Sequence, residues 1–343
     1  MSFSDILLGI AIGDAFGAGV EFQDRDWIKS QVDFSRLINA RNSIAAHLVD
    51  KPANFPPAEA FTQNYTPWDY TDDTEMTIGL IKALLSQQEF TPDLLVAHFT
   101  KEYQQGKAQK GFGRNGHGSM QWVFDGTQNI EEVRAFQQKR AYPGNAPVSR
   151  AIPLGLLSAH LRTNYALINA NATHPHPKAQ VASVLIAEAT HFLLVEQGAP
   201  KDLIAHCSAK IHNQDKETES LLAQITQLPP PDQLQPDHYE ILCGPQPIVE
   251  PRFLPGIKGL PSDAMLTGVC ALYVLSHAKS AFEGLKMAVQ MGGDVDSLAS
   301  ICTGVLSGKH GLDSLPDFML ENIEGRIYLR QLANDFERYL TTL

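Results

Sequence analysis

An all-α fold, built as one compact helical domain over residues 1–343, is what this sequence predicts. Three observations predict it. Apolar residues recur at the helical period in segment after segment. The period-two alternation of strands is nearly absent, and no internal repeat stands out. Two acidic clusters, Thr71-Asp72-Asp73-Thr74 and Gly292-Gly293-Asp294-Val295-Asp296-Ser297, each open an apolar helical stretch. If these clusters meet in space, residues 71 and 294 belong to one folding unit, although length alone suggests about two domains.

Taken in order, residues 4–21 read as a first helix with Ser4 as its N-cap. Gly9, Gly13, Gly17 and Gly19 weaken an isolated helix but suit the close approach of another backbone. Residues 42–70, with Pro52, Pro56, Pro57 and Pro67, read as loop. Residues 74–88 carry apolar side chains at 76, 78, 80, 81, 84 and 85, the helical period. Thr91-Pro92 opens another helix, with proline at its first position. A glycine-rich segment, Gly111-Phe112-Gly113-Arg114-Asn115-Gly116-His117-Gly118, follows. Residues 178–197 form the clearest long helix, stopped by Gly198. Residues 229–261 hold nine of the 21 prolines, a density that predicts a long surface loop without regular elements. Helices resume near Ser262, and 298–307 continues directly from the second cluster.

Composition narrows the function. A formal charge of −11 argues against binding to nucleic acid or an anionic membrane. It leaves room for an anionic small substrate if metal ions supply a local positive field. Cys207, Cys243, Cys270 and Cys302 lack metal-type spacing and read as free buried thiols in a reduced, cytoplasmic setting. No run reaches the ~20 apolar residues of a membrane span. The N-terminus lacks the basic start of a signal peptide.

The clusters carry the chemistry. Together they offer four carboxylates and three hydroxyls, hard oxygens of the kind Mg²⁺, Mn²⁺ and Ca²⁺ take, enough for two ions side by side. Helix capping is the bland alternative for the first cluster, because Asp and Thr are good caps and carboxylates are favoured at a helix start. The second is harder to dismiss. Asp294 and Asp296 repel unless neutralised, and the glycine pair before them permits unusual backbone angles. The His174/His176 pair has no third nitrogen or sulfur ligand and does not make a zinc site. Trp68, Tyr70 and Phe112 are candidates for stacking on a ligand, with packing the more frequent role of such aromatics.

Five motifs occur in sequence: GIAIGDAFGAGVEF (9–22), TDDTEM (71–76), NGHGSM (115–120), THPHP (173–177) and GGDVDS through GVLSGKHG (292–311). In that order they resemble the ADP-ribosylglycohydrolase family, over residues 5–316. The resemblance implies an all-α fold with a binuclear Mg²⁺ or Mn²⁺ centre at the base of a cleft. It implies Thr71, Asp72, Asp73, Asp294, Asp296 and Ser297 as ligands, serine standing where many members have threonine. Glu21 matches the glutamate that serves as acid/base in serine-type relatives. Asp73 and Asp296 join it as the implied catalytic residues. Gly113, Asn115, Gly116 and Ser119 are implied contacts to ribose and diphosphate, and His174 a further contact to ADP-ribose. Two departures stand out. Gln121-Trp122 occupies the place where many members carry an arginine. Phe112-Gly113-Arg114 lacks the carboxylate of some arginine-type enzymes, which shifts weight to Glu21.

The expected activity is metal-dependent hydrolysis of the glycosidic bond joining ADP-ribose to a modified protein side chain, arginine first. Immunity to an ADP-ribosylating toxin is one setting for such an enzyme. A catalytically weak module that binds ADP-ribose or occludes a toxin is the alternative. A metal-dependent phosphoesterase would need an Arg or Lys phosphate clamp that the motifs do not show.

Overall fold

The computed structural model describes residues 2–38, 68–110, 123–124, 126, 128–248 and 256–343. Among them the regular elements are helices, and strand-like pairing is confined to isolated bridges. The first helix, α1 (Phe3–Ala18), begins earlier than the spacing suggests. Ser2 is its N-cap in place of Ser4, accepting from the Ser4 amide at 3.2 Å. It stops at Ala18 because the chain must turn, and Phe22 takes a positive φ of 54° in that turn. A short α2 (Arg25–Gln31) follows, capped by Asp24. Then come α3 (Asp72–Leu85) and α4 (Pro92–Lys110), the latter opening on proline as expected.

The middle of the chain is a run of helices. These are α5 (Ile130–Lys139), the single turn α6 (Ala146–Ser149), α7 (Ala159–Thr173) and α8 (Pro177–Thr190). The long helix expected over 178–197 changes to a π turn at His191–Val195. Next are α9 (Leu203–Lys210) and α10 (Lys216–Ile225). The proline-rich stretch departs from expectation, since it contains α11 (Pro236–Cys243). Pro236 sits at the first helical position, where its missing N–H is no loss. Gln235 and His238 form a reciprocal cap around it. Nor is the stretch all surface, because Tyr239, Leu242, Cys243 and Leu260 are buried. The remaining helices are α12 (Ala264–His277), α13 (Ala281–Val289), α14 (Val295–His310), α15 (Asp317–Asn322) and α16 (Arg326–Leu340).

Helices α1, α8, α12 and α14 are buried on nearly every side, as their all-round apolar or small residues require. α16 is amphipathic, burying Leu329, Leu332, Ala333 and Phe336 while Ile327 stays exposed. One apolar cluster runs from Phe3 to Phe336. The contact that matters for function is α1 against α14. A Cβ on Gly13 would lie 2.2 Å from the Ala299 carbonyl oxygen, and one on Gly17 would lie 2.5 Å from the Asp296 Cα. The glycines therefore let the two backbones touch and seat Asp296 against α1. All four cysteines are buried free thiols, and no described helix is long and apolar enough to cross a membrane.

Candidate metal centre

The start of α3 is held from outside its own helix. Its first amides have no intrahelical acceptor. Asp14, fully buried on α1, supplies one. Its two oxygens accept from the Thr71 amide at 3.0 and 2.9 Å and from the Thr74 amide at 3.0 Å. They also accept from the Thr71 and Thr74 hydroxyls, each at 2.6 Å. Thr71 is the N-cap of α3 yet caps nothing with its side chain. Its one hydroxyl proton goes to Asp14, leaving lone pairs on that oxygen for another partner. Asp72 and Asp73 follow in the first turn, both buried.

The second cluster is held by backbone. Gly292 and Gly293 adopt φ of +72° and +78°, the left-handed region that glycine enters without cost from a Cβ. The Gly293 carbonyl accepts from Phe22 N at 2.7 Å, and its N–H donates to Gln23 O at 2.9 Å. On the other side, Leu260 N donates to Gly292 O and Asp294 N to Leu260 O, each at 2.8 Å. A Cβ on Gly293 would stand 2.1 Å from the Leu260 oxygen. This double clamp brings Glu21, just before Phe22, against Asp294, the N-cap of α14. Asn145 Nδ2 donates to Asp294 Oδ2 at 3.3 Å, and Ser262 Oγ donates to Asn145 Oδ1 at 3.2 Å.

The two clusters meet. Ser297 Oγ donates to Asp73 Oδ2 at 3.0 Å and Oδ1 at 3.2 Å, across 224 residues of chain. Two groups of carboxylates result, Asp14 with Asp73 and Asp296, and Glu21 with Asp294 and Asp296. Within each, one oxygen per residue lies within 4.8 Å of the others, and Asp296 is common to both. Burial first, then Asp72 and Asp296, raise the Asp73 carboxyl well above its ordinary range. Burial and Asp296 do the same to Asp294. Burial pushes Asp14 up to about 7, against the pull of its Thr71 and Thr74 donors. Buried carboxylates this close are costly as bare charges, and a divalent cation removes that cost. Oxygen-only donors suit a hard ion, so both groups are able to coordinate a divalent metal.

Of the residues singled out from sequence, Glu21, Asp73, Asp294 and Asp296 come together in these groups, and Ser297 joins them through Asp73. Thr71 and Asp72 lie at the same helix start. Asp72 belongs to neither group, and Asp14, which the sequence reading passed over, belongs to one. Gly113, Asn115, Gly116 and Ser119 lie outside the described residues, as does Phe112. His174 is buried with its Nε2 edge toward Gly144, where a Cβ would meet it at 3.0 Å. Gly144 precedes Asn145, the residue whose side chain donates to Asp294. His176 caps α8. Trp68 is packed between Phe16 and Phe318, so its stacking is internal.

Two more residues were missed. Asn145 carries no charge and sits in a stretch, GNAPVSR, without acidic or sulfur ligands to mark it. Arg150, at the end of the same stretch, is fully buried, and its charge acts on Asp72 and Asp73. Burial lowers Arg150 to about 9, which still leaves it cationic at neutral pH.

The ADP-ribosylglycohydrolase family model matches residues 3–342. An uncharacterized protein of Archaeoglobus fulgidus is 24% identical over 334 residues, covering 96% of this chain and 94% of its own. ADP-ribosylhydrolase ARH3 of Homo sapiens is 22% identical, with 98% and 93% covered. A solved structure described as an ADP-ribosylglycohydrolase-related protein complex shares the fold. Its TM-score is 0.65 at 20% identity, with 98% of this chain and 97% of that chain covered. With a family model spanning nearly every residue, the chain belongs to the ADP-ribosylglycohydrolase family and is a hydrolase of that type.

Proposed function

We propose that this chain hydrolyses the glycosidic bond between ADP-ribose and a modified protein side chain, with arginine as the linkage. The observation that carries the reading is the meeting of Glu21, Asp73, Asp294 and Asp296 from opposite ends of the chain around a shared Asp296. Thr71, Asp72, Asp73, Asp294, Asp296 and Ser297 would hold two ions, Mg²⁺ or Mn²⁺. Bound there, the ions supply Lewis-acid polarisation and a template for the ribose hydroxyls beside the anomeric carbon. The chain's own residues do the rest. Glu21, half-buried at the edge of the centre, takes the proton of the attacking water and returns one to the leaving nitrogen. Asn145 fixes the Asp294 rotamer. The segment with Gly113, Asn115, Gly116 and Ser119 is the proposed seat of the diphosphate.

Charge supports arginine. Glu21, Asp72, Asp73, Asp294 and Asp296 are five carboxylates, more than enough to neutralise two divalent ions, and the chain carries −11. A cationic guanidinium approaches such a rim more easily than a neutral or anionic group does. An ADP-ribosylated protein is therefore the proposed partner, and undoing a toxin's modification is a setting the activity would serve.

The test is purified protein with Mg²⁺ against separate arginine-, serine- and glutamate-ADP-ribosylated proteins, following free ADP-ribose, with EDTA and Asp296→Ala controls. Release from the arginine panel, lost in both controls, is the expected result. Release from another panel alone would overturn the linkage. No release while ADP-ribose still binds by calorimetry would replace the enzyme with a binding module.

A further inference from the structure

Arg150 is a buried cation without a carboxylate partner among the described residues. Its Cζ lies 4.4 Å from the centre of the Phe99 ring. Nε donates to Asn169 Oδ1 at 2.6 Å, and Nη1 faces Met76 Sδ at 3.4 Å. Nη2 donates twice, to Asn169 O at 2.9 Å and to Thr173 Oγ1 at 2.8 Å. Thr173, fully buried at the end of α7, has one further side-chain contact, with His174 Nδ1 at 2.7 Å.

Proton counting orders this chain of contacts. Guanidinium only donates, so the Thr173 oxygen accepts from Arg150. The hydroxyl has a single proton, and among the described residues the only acceptor it touches is His174 Nδ1. Nδ1 must then be unprotonated, which places the ring proton on Nε2. Nε2 makes no hydrogen bond among the described residues, and His174 keeps 5% of its surface exposed. It lies against Gly144, next to the Asn145 that holds Asp294. Burial, and then the Arg150 charge, keep the imidazole neutral by lowering its pKa well below the ordinary value.

We propose that Arg150 and Thr173 are positioning residues that lock His174 as the Nε2–H tautomer, so that it presents one fixed donor to an acceptor oxygen of the bound ligand. The donor role rests on ADP-ribose as the ligand, whose phosphate and ribose oxygens are acceptors. The locked tautomer stands without it. A ring free to present a bare Nε2 would instead repel those oxygens.

The experiment has two readouts. Nitrogen-15 spectra of histidine-labelled protein should show His174 with an unprotonated Nδ1 and a protonated Nε2, unchanged from pH 5 to pH 8, where Arg150 stays cationic. An imidazolium or Nδ1–H pattern would overturn the relay. Calorimetry with Mg²⁺ and ADP-ribose then compares Thr173→Val, His174→Gln and His174→Asn, each checked for an unaltered melt. Gln carries its amide nitrogen where Nε2 lies, whereas Asn reaches only to Nδ1. Thr173→Val and His174→Asn should each weaken ADP-ribose about tenfold, the scale of one well-placed hydrogen bond, with Mg²⁺ affinity unchanged and His174→Gln near wild type. Equal affinity in all three would overturn the donor role. If the wild type bound no ADP-ribose, the proposed function and donor role would fall, while the ring pattern would still decide the relay.

Discussion

Asp296 belongs to both carboxylate groups, so its removal should act on both at once. Asp296→Ala is expected to abolish turnover and the Mg²⁺-dependent rise in melting temperature. In EDTA the same variant should be more stable than wild type by about 1–3 kcal/mol, because a buried like charge has gone. Melts with and without Mg²⁺ check both halves, and a variant still shifted by Mg²⁺ like wild type would remove Asp296 from the centre. Asp14 should behave differently. Both its oxygens are committed to Thr71 and Thr74 donors, so it orients the start of α3. Asp14→Asn turns an amide nitrogen toward those donors. It should weaken Mg²⁺ binding about 10–100-fold, the range for groups that orient metal ligands, with turnover recovering at saturating metal. Titration calorimetry and the metal dependence of rate separate these outcomes. The difference in legibility has a physical cause. Hard oxygens crowded into 71–74 and 294–297 announce a cation site from spacing alone. Asp14 lies inside a helical pattern with partners 57 and 60 residues away, a pairing that no local spacing reveals. Asn145 and Arg150 acquire their roles only through contacts the fold creates.

Two elements carry tests of their own. On α1, Gly17 abuts the Asp296 Cα, while Gly9 abuts the Thr303 carbonyl and Ser307 further along α14. Gly17→Ala should destabilise by about 1–3 kcal/mol through overpacking and should also weaken Mg²⁺ binding. Gly9→Ala, crowded against backbone seven and more residues beyond Asp296, should cost a similar amount of stability and leave metal affinity unchanged. Denaturant melts and metal titrations of the pair measure this, and equal effects on metal would show that the α1–α14 contact does not set the centre. On α12, Asp263 caps the helix with Oδ1 to Leu266 N at 2.8 Å, while its buried Oδ2 has no partner. Burial raises its pKa to about 6. The sign follows: unfolded chains lose this proton near pH 4, the folded chain near 6, so ionisation disfavours the fold as pH rises through that window. Asp263→Asn keeps a good cap and removes the charge. It should stabilise by about 1–2 kcal/mol at pH 8, after its own unpaired amide is counted, and by almost nothing at pH 4. A pH-independent difference would rule this out. Helix existence was legible in the periodic pattern, whereas the ends were set by contacts. α3 begins at Asp72, not 74, because Asp14 caps it from another helix. α11 was hidden because proline density obscures a helix that uses one proline at its first position.

At the scale of the molecule, the centre draws on Asp14 and Glu21 near one terminus, Asp73 in the first third and Asp294 and Asp296 near the other. A ligand bound there tightens the chain at points almost 300 residues apart in sequence. If the whole chain is one folding unit, as proposed, heat should unfold it in a single transition that Mg²⁺ shifts as a whole. At a free Mg²⁺ concentration 100 times its dissociation constant, linkage gives about 2.7 kcal/mol for each ion bound. Spread over the unfolding entropy of a chain this long, that is a rise of roughly 3–4 °C. Two separable domains would instead give two transitions. The centre would then either move both or, if its ligands came from one of them, move one and leave the other in place. Calorimetric scans in EDTA and in Mg²⁺ therefore test domain organisation and metal site together. Agreement of the calorimetric with the van't Hoff enthalpy is the mark of a single unit. Asp296→Ala should keep the single transition while losing its response to Mg²⁺, because the carboxylate contributes charge to the centre and no packing to the apolar cluster that unites the helices.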